Sequence, residues 1–215
     1  MVPCPTKVHH PLFARFYAWA STRMEGSVFG PLRDRLLGGL AGRVVEVGAG
    51  NGLNFAHYPG AVTHVLAVEP EAHLRKLAEA EAARAAVPTE VVDGTADAIP
   101  APDGGYDAAV TSLVLCSVPD VPAALAEIRR VLRPGGELRF MEHVRADTTG
   151  LARVQRALDA TVWPTFGGGC HTHRDTAAAI EAAGFTVTDI TRLRIQTGMP
   201  ATSPHILGTA TSPGA

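Results

Sequence analysis

The sequence predicts an α/β domain in which helices cover a parallel sheet. Three observations carry that expectation. Short β-branched runs alternate along the chain with helical stretches rich in alanine and leucine, the pattern of successive strand–helix–strand units. A glycine loop, Gly48-Ala49-Gly50-Asn51-Gly52, directly follows the first apolar run. Finally, 215 residues that are 46% hydrophobic and 19% charged suit one folded domain, spanning 1–215, rather than a disordered chain.

The elements follow in order. Residues 1–30 precede the first strand and form an expected N-terminal helical cap. That cap holds five of the chain's twelve aromatics: Phe13, Phe16, Tyr17, Trp19 and Phe29. Phe13, Phe16 and Tyr17 share one helix face at i, i+3 and i+4, with Trp19 on another side. This reads as a mobile aromatic lid. Strands are expected at 43–48 (RVVEVG), 63–69 (THVLAVE), 90–93, 106–115 (YDAAVTSLVL) and 137–143 (ELRFMEH). Helices are expected at 71–86 and 121–132, the second stopped by Arg133-Pro134-Gly135-Gly136. After residue 144 the rhythm changes. Residues 151–161 read as an extra helix, 163–170 as a loop, and 174–183 as a helix with Gly184 at its C′ position. Residues 185–193 and 205–210 read as two last strands. Residues 145–173 thus form an inserted segment after the fifth strand.

Composition removes several classes of function. The formal charge is −2, and the densest basic cluster, Arg129, Arg130 and Arg133, looks like the exposed side of a helix, so no nucleic-acid partner is expected. No run of 18 apolar residues occurs and the N-terminus lacks a signal-peptide pattern, so a cytoplasmic protein without an integral membrane segment is expected. Cys4, Cys116 and Cys170 lie far apart with no Cys-x-x-Cys pair, which suits free thiols in a reducing compartment.

The chemistry centres on Glu46-Val47-Gly48-Ala49-Gly50-Asn51-Gly52. Glycines let the chain turn sharply and let a ligand approach the backbone. Twenty-one residues after Gly48 stands Glu69, at the end of the second strand, placed to accept hydrogen bonds from two ribose hydroxyls. A dinucleotide loop needs a third glycine where Leu53 stands, which disfavours a nicotinamide cofactor. S-adenosylmethionine carries no phosphate, and the loop matches its Glu/Asp-x-Gly-x-Gly-x-Gly form. Asp93-Gly94-Thr95-Ala96-Asp97 follows the third strand; Gly94, Thr95 and Ala96 read either as a reader of the adenine edge or as a plain turn.

On these residues the chain resembles the class I S-adenosylmethionine-dependent methyltransferases. The resemblance runs from about Val44 to the last strand and includes Gly94-Thr95-Ala96-Asp97-Ala98-Ile99-Pro100 and Arg130-Val131-Leu132-Arg133-Pro134-Gly135-Gly136. Leu113-Val114-Leu115-Cys116-Ser117-Val118, Met141-Glu142-His143-Val144 and the Gly169-Cys170 loop are similar, more closely, to animal thiol S-methyltransferases. Those carry an N-terminal hydrophobic anchor that has no counterpart in this sequence. A looser similarity extends to bacterial methyltransferases of phospholipid amines, quinones and indole-containing natural products.

The resemblance implies a Rossmann-like, seven-stranded sheet of order 3-2-1-4-5-7-6 with the last strand antiparallel. It implies S-adenosylmethionine as cofactor and S-adenosylhomocysteine as product. Glu69 would meet the ribose, and Gly48, Ala49 and Gly50 would lie under the methionine part. Asn54, Pro70 and Leu113 fall where the family contacts the cofactor.

Acceptor chemistry adds candidate residues. Methyl transfer is an in-line displacement, so alignment is the main requirement. A thiol is largely pre-activated, whereas an indole carbon, hydroxyl or ammonium needs a base. His143, ending the fifth strand, is the first candidate base; its alternative is a histidine bonded to backbone. Tyr17 is the second, with cofactor binding or packing as alternatives. Phe13, Trp163 and Phe166 are expected to wall the acceptor pocket. Cys170, His171 and His173 do not make a metal site: histidines at i, i+2 share no helix face and a fourth ligand is missing. The expected acceptor is a small hydrophobic molecule, with thiol sulfur or indole/aromatic carbon ahead of oxygen or nitrogen in a small natural product or lipid. A nicotinamide oxidoreductase and a non-catalytic cofactor-binding protein are the remaining readings, and a monomer or homodimer is the expected assembly.

Overall fold

A computed structural model describes residues 11–196 and 198–214. Seven strands form one sheet of order β3-β2-β1-β4-β5-β7-β6. The strands are β1 (Gly42–Val47), β2 (Val62–Val68), β3 (Thr89–Val92), β4 (Tyr106–Ser112), β5 (Leu132–His143), β6 (Thr186–Arg194) and β7 (Pro204–Thr211). The pairs β2/β3, β1/β2, β1/β4 and β4/β5 are parallel, while β7 runs antiparallel to both neighbours. This is the Rossmann-like sheet and strand order expected from the resemblance.

The central strands read as continuous apolar runs because helices cover both faces. One face packs Val45, Val47, Phe140 and Ile206 against Leu125 and Ile128 of α4 (Val121–Val131) and Ile180 of α7 (Thr176–Ala182). The other packs Val44, Val65, Val110 and Met141 against Leu36 and Leu37 of α2 (Gly30–Leu37) and Ala78 of α3 (Ala72–Ala82). Glu71, Asp120 and Asp175 each cap the helix that follows by accepting a backbone N–H. Gly184 stands just beyond α7 with φ +89, as its C′ position requires.

Several boundaries differ from those read in the sequence. The N-terminal cap does not stop at residue 30. α1 (Pro11–Met24) continues through a wide turn, Glu25–Phe29, into α2, and residues 1–10, with Cys4, lie outside the described residues. β4 stops at Ser112 because Leu113 turns into the left-handed region at φ +62, so the run 113–115 leaves the sheet. β5 begins early, at Leu132, and passes through Pro134-Gly135-Gly136. Its pairing with β4 shifts between Tyr106 and Ala108 to absorb them. The stretch expected as a loop at 163–170 contains a helical turn, α6 (Trp163–Phe166), preceded by α5 (Thr149–Asp159). Among the described residues no helix is long and apolar enough to cross a membrane.

Phe140 is fully buried at the middle of the sheet, so Phe140→Ala should cost about 3–5 kcal/mol of unfolding free energy, read by urea denaturation.

Candidate active site

The glycine loop leaves the C-terminal end of β1, beside the place where the strand order reverses. The amides of Gly48 and Ala49 donate to Val68 O at 2.8 and 3.1 Å, which ties the loop to β2. Gly48 has φ +68, and a Cβ there would stand 2.6 Å from the Val114 side chain, so only glycine fits. Glu69 is buried just past β2. It accepts from Gly50 N–H at 2.7 Å and Glu71 N–H at 2.9 Å, and burial raises its pKa.

Beneath this loop lies a buried polar network. Glu46 accepts from Asn54 Nδ2 at 2.8 Å and Tyr58 OH at 2.7 Å. Asn54 Oδ1 accepts from the Arg33 guanidinium, which in turn pairs with Glu25 at 3.0 Å. Removal from water pushes the Glu46 carboxyl up to about 7, against the pull of its two donors and Arg33. Asn54 takes part in this network. It is almost fully buried, with both ends of its amide engaged, and it braces the loop. Arg33 went unread in the sequence because nothing local distinguishes it from a surface arginine on a helix.

α1 lies over the loop. The Tyr17 ring covers Gly50, about as close as a Cβ on that glycine would allow (3.4 Å). Asn51 Nδ2 donates to Ser21 Oγ and Thr22 Oγ1 at 3.3 and 3.4 Å. Burial, first of all, raises the Tyr17 phenol above its ordinary pKa, so it remains protonated. Phe13 stacks on Tyr17 with centroids 5.8 Å apart and packs on Gly168, where a Cβ would fall 2.2 Å from its ring. The cap thus touches the 167–169 loop directly. Phe16, Trp19 and Phe166 are instead 61%, 58% and 74% exposed, so Phe166 is not brought to a pocket wall.

The other side of the crevice is built on Glu142, which is fully buried and absent from the expected site. It accepts from Val114 N–H at 3.1 Å and Cys116 N–H at 3.2 Å, and burial raises its pKa. It thereby holds the turn that follows Leu113. An acid inside the apolar run of β5 was the signal for it. Arg174 fastens the same turn by donating to Leu115 O and Val118 O, both at 2.7 Å.

Three chemically active side chains meet there. His143 Nδ1 lies 3.3 Å from Cys170 Sγ and 3.9 Å from Cys116 Sγ. The two neighbouring thiols act on one another, Cys116 pulling the Cys170 thiol down in pKa and Cys170 pushing Cys116 up, with His143 also favouring the Cys170 thiolate. The His143 ring lies 4.2 Å from that of His205, whose own pKa burial lowers to about 3. Trp163 Nε1 is buried without a hydrogen bond, and the indole also favours the Cys170 thiolate. Cys116 lies near His143 and also acts electrostatically on Tyr17.

Pro70, Ala96 and Leu113 are half-buried, and Thr95 Oγ1 is buried without a partner. Gly94 sits where a Cβ would meet Val68 and Pro100 at 2.8 Å. A cavity of about 580 Å³ elsewhere, lined by Arg145, Arg153, Arg156, Arg174 and Arg192 among others, contains none of the expected site residues.

Comparison with known proteins agrees with this geometry. Residues 45–140 match a family profile described as a methyltransferase domain. Human thiol S-methyltransferase TMT1B is 35% identical over 179 residues, covering 81% of this chain and 73% of that protein. The ubiquinone/menaquinone biosynthesis C-methyltransferase UbiE of Methylobacterium nodulans is 32% identical over 154 residues, 70% of this chain and 58% of that protein. The crystal structure of a putative methyltransferase from Bacillus halodurans superposes with a TM-score of 0.69 at 15% identity, covering 85% of this chain and 98% of that one.

Because Glu46 has a folded-state pKa raised to about 7, its contribution is largest below the ordinary carboxyl range and is lost as pH rises toward 7. Unfolding free energy should therefore fall between roughly pH 4.5 and 7, by up to roughly 3 kcal/mol from this group. Glu46→Gln should remove that part of the slope in denaturation curves across this pH range.

Proposed function

The chain belongs to the class I S-adenosylmethionine-dependent methyltransferases, and from that premise we propose that it methylates the sulfur of a small hydrophobic thiol. Its cofactor is S-adenosylmethionine, and it acts on a small molecule.

The crevice residues fit that cofactor. A carboxylate offers about four acceptor positions, and Glu69 uses two on backbone amides, leaving capacity for two ribose hydroxyls. The orphaned Thr95 hydroxyl, with Gly94 and Ala96, suits the adenine edge. Gly48, Ala49 and Gly50 take the methionine part, with Pro70 and Leu113 flanking. Bound there, S-adenosylmethionine supplies a methyl group on a positively charged sulfonium. Tyr17, protonated, closes the crevice over Gly50 and would offer its hydroxyl proton to the bound cofactor or acceptor. Phe13 and Trp163 wall the acceptor and exclude water, and His143 borders the reacting sulfur. Holding acceptor and methyl in line is the main catalytic contribution of such a site.

One observation carries the thiol reading: among the described residues none of the carboxylates at the crevice, nor the Tyr17 phenol, stands free as a base. Glu46, Glu69 and Glu142 all accept structural hydrogen bonds, Tyr17 is held protonated, and His143 Nδ1 is turned to the cysteines. A thiol, with a pKa of about 8.5, needs the least help in losing its proton. The match to a thiol S-methyltransferase supports the same choice. The match to UbiE, a C-methyltransferase by name, favours an aromatic-carbon acceptor as the second reading.

Transfer of labelled methyl to a panel of thiols, indoles, phenols and amines tests the proposal. Thiols should be methylated fastest, and faster turnover of an indole or quinol would replace it with the second reading. Glu69→Gln should weaken S-adenosylmethionine binding at least tenfold by calorimetry, since bonds to a charged group are worth about 1.5–3 kcal/mol. A chain cut before Glu25, which keeps the partner of Arg33, should still unfold cooperatively in urea and lose methyl transfer.

A further inference from the structure

Three ligand-type side chains from distant parts of the sequence converge at the acceptor end of the crevice. Cys116 comes from the turn after β4, His143 from the end of β5, and Cys170 from the loop after α6. Cys116 Sγ, His143 Nδ1 and Cys170 Sγ all lie within 4.8 Å of one another. Tetrahedral zinc, with bonds of about 2.3 Å to sulfur and 2.0–2.1 Å to nitrogen, places nitrogen and sulfur ligands about 3.6 Å apart and two sulfurs about 3.8 Å apart. The observed nitrogen–sulfur distances, 3.3 and 3.9 Å, bracket that value.

We propose that Cys116, His143 and Cys170 bind one zinc ion, with the fourth position open to the acceptor thiolate. Two thiolates and an imidazole form a soft donor set that suits zinc and discriminates against magnesium or calcium. Three protein ligands with one open position is the arrangement of a catalytic rather than a structural zinc site. The frame around the ligands is rigid. Glu142 holds the Cys116 amide, Cys116 O accepts from His171 N–H at 2.7 Å, and the Cys170 amide donates to Gly167 O at 3.1 Å. The neighbouring His171 and His173 are not part of the set. His171 Nδ1 donates to Gly169 O, and His173 lines the arginine-rich cavity.

The proton and electron balance is straightforward. Binding of the ion displaces the protons of both cysteine thiols to solvent, and the two thiolates neutralise its charge. An acceptor thiol entering the fourth position loses its proton to solvent as well. Its sulfur lone pair then forms the new S–CH₃ bond while the methyl–sulfonium bond breaks and its electron pair remains on the cofactor sulfur. The neutral thioether is a weaker ligand and leaves. His143 is then a ligand, which excludes it as a proton acceptor during transfer. The open fourth position as a thiolate site rests on the thiol reading given above; the metal site itself does not.

The test uses the purified full chain. Zinc content by plasma mass spectrometry should be one equivalent per chain and should fall at least tenfold in Cys116→Ala, Cys170→Ala and His143→Ala. Cobalt(II) loaded in place of zinc should give a thiolate-to-metal charge-transfer band and the intense visible bands of tetrahedral cobalt, with the charge-transfer band about halved in each cysteine variant whose circular dichroism is unchanged. Retention of equal metal by wild type and variants, or a Cys116–Cys170 disulfide by intact mass in the freshly isolated protein, would overturn the site. Benzyl mercaptan should shift the cobalt spectrum and benzyl alcohol should not. A full equivalent of metal whose spectrum ignores the thiol would overturn only the fourth-position assignment, whether or not thiols prove to be substrates.

Discussion

The structure depends on a carboxylate held out of water at the end of β1. Glu46 closes the first apolar strand, and its two oxygens take the Asn54 amide and the Tyr58 hydroxyl. Asn54 passes the connection to Arg33, and Arg33 to Glu25. One buried chain therefore joins the sheet, the far end of the glycine loop and the N-terminal helices. An unpaired charge at such a site is costly, so each member requires the next. The constraint fixes the loop's backbone and also sets where α1 crosses it.

A second buried carboxylate performs the matching task across the crevice. Glu142 gathers the amides of Val114 and Cys116, which fixes the turn forced by the left-handed Leu113. The Val114 side chain then comes close enough to Gly48 to exclude any Cβ there. Loops from β1 and β4 are thus fitted to one another, and the C-terminal edge of the parallel sheet becomes a crevice with two rigid lips. In folds of this kind ligands bind at that edge because the strand order reverses there.

The aromatic cap closes the crevice by packing. Phe13 and Tyr17 share a helix face, as i and i+4 must, and that face is the one that meets Gly50 and Gly168. Phe16 and Trp19 lie on the outer side and remain largely exposed. A cap secured by two rings and the Asn51 hydrogen bonds covers the glycine loop without entering the sheet's core.

The sequence by itself determined the sheet. Strand and helix periods alternate strongly enough that each strand was found within a few residues, and the resemblance supplied their order. The glycine loop and Glu69 were legible because each acts on its own stretch of chain. The misplaced boundaries have tertiary causes: β4 ends early because Leu113 turns to meet Glu142, and β5 starts early because β4 offers it a pairing edge. Only the tertiary structure showed Arg33 and Glu142 as buried supports and Asn54 as the link between Glu46 and Arg33. Only the tertiary structure brought Cys116 and Cys170, 54 residues apart in sequence, onto His143. Local propensity and spacing act over a few residues, whereas desolvation and metal-like geometry belong to groups that become neighbours only when the sheet is built.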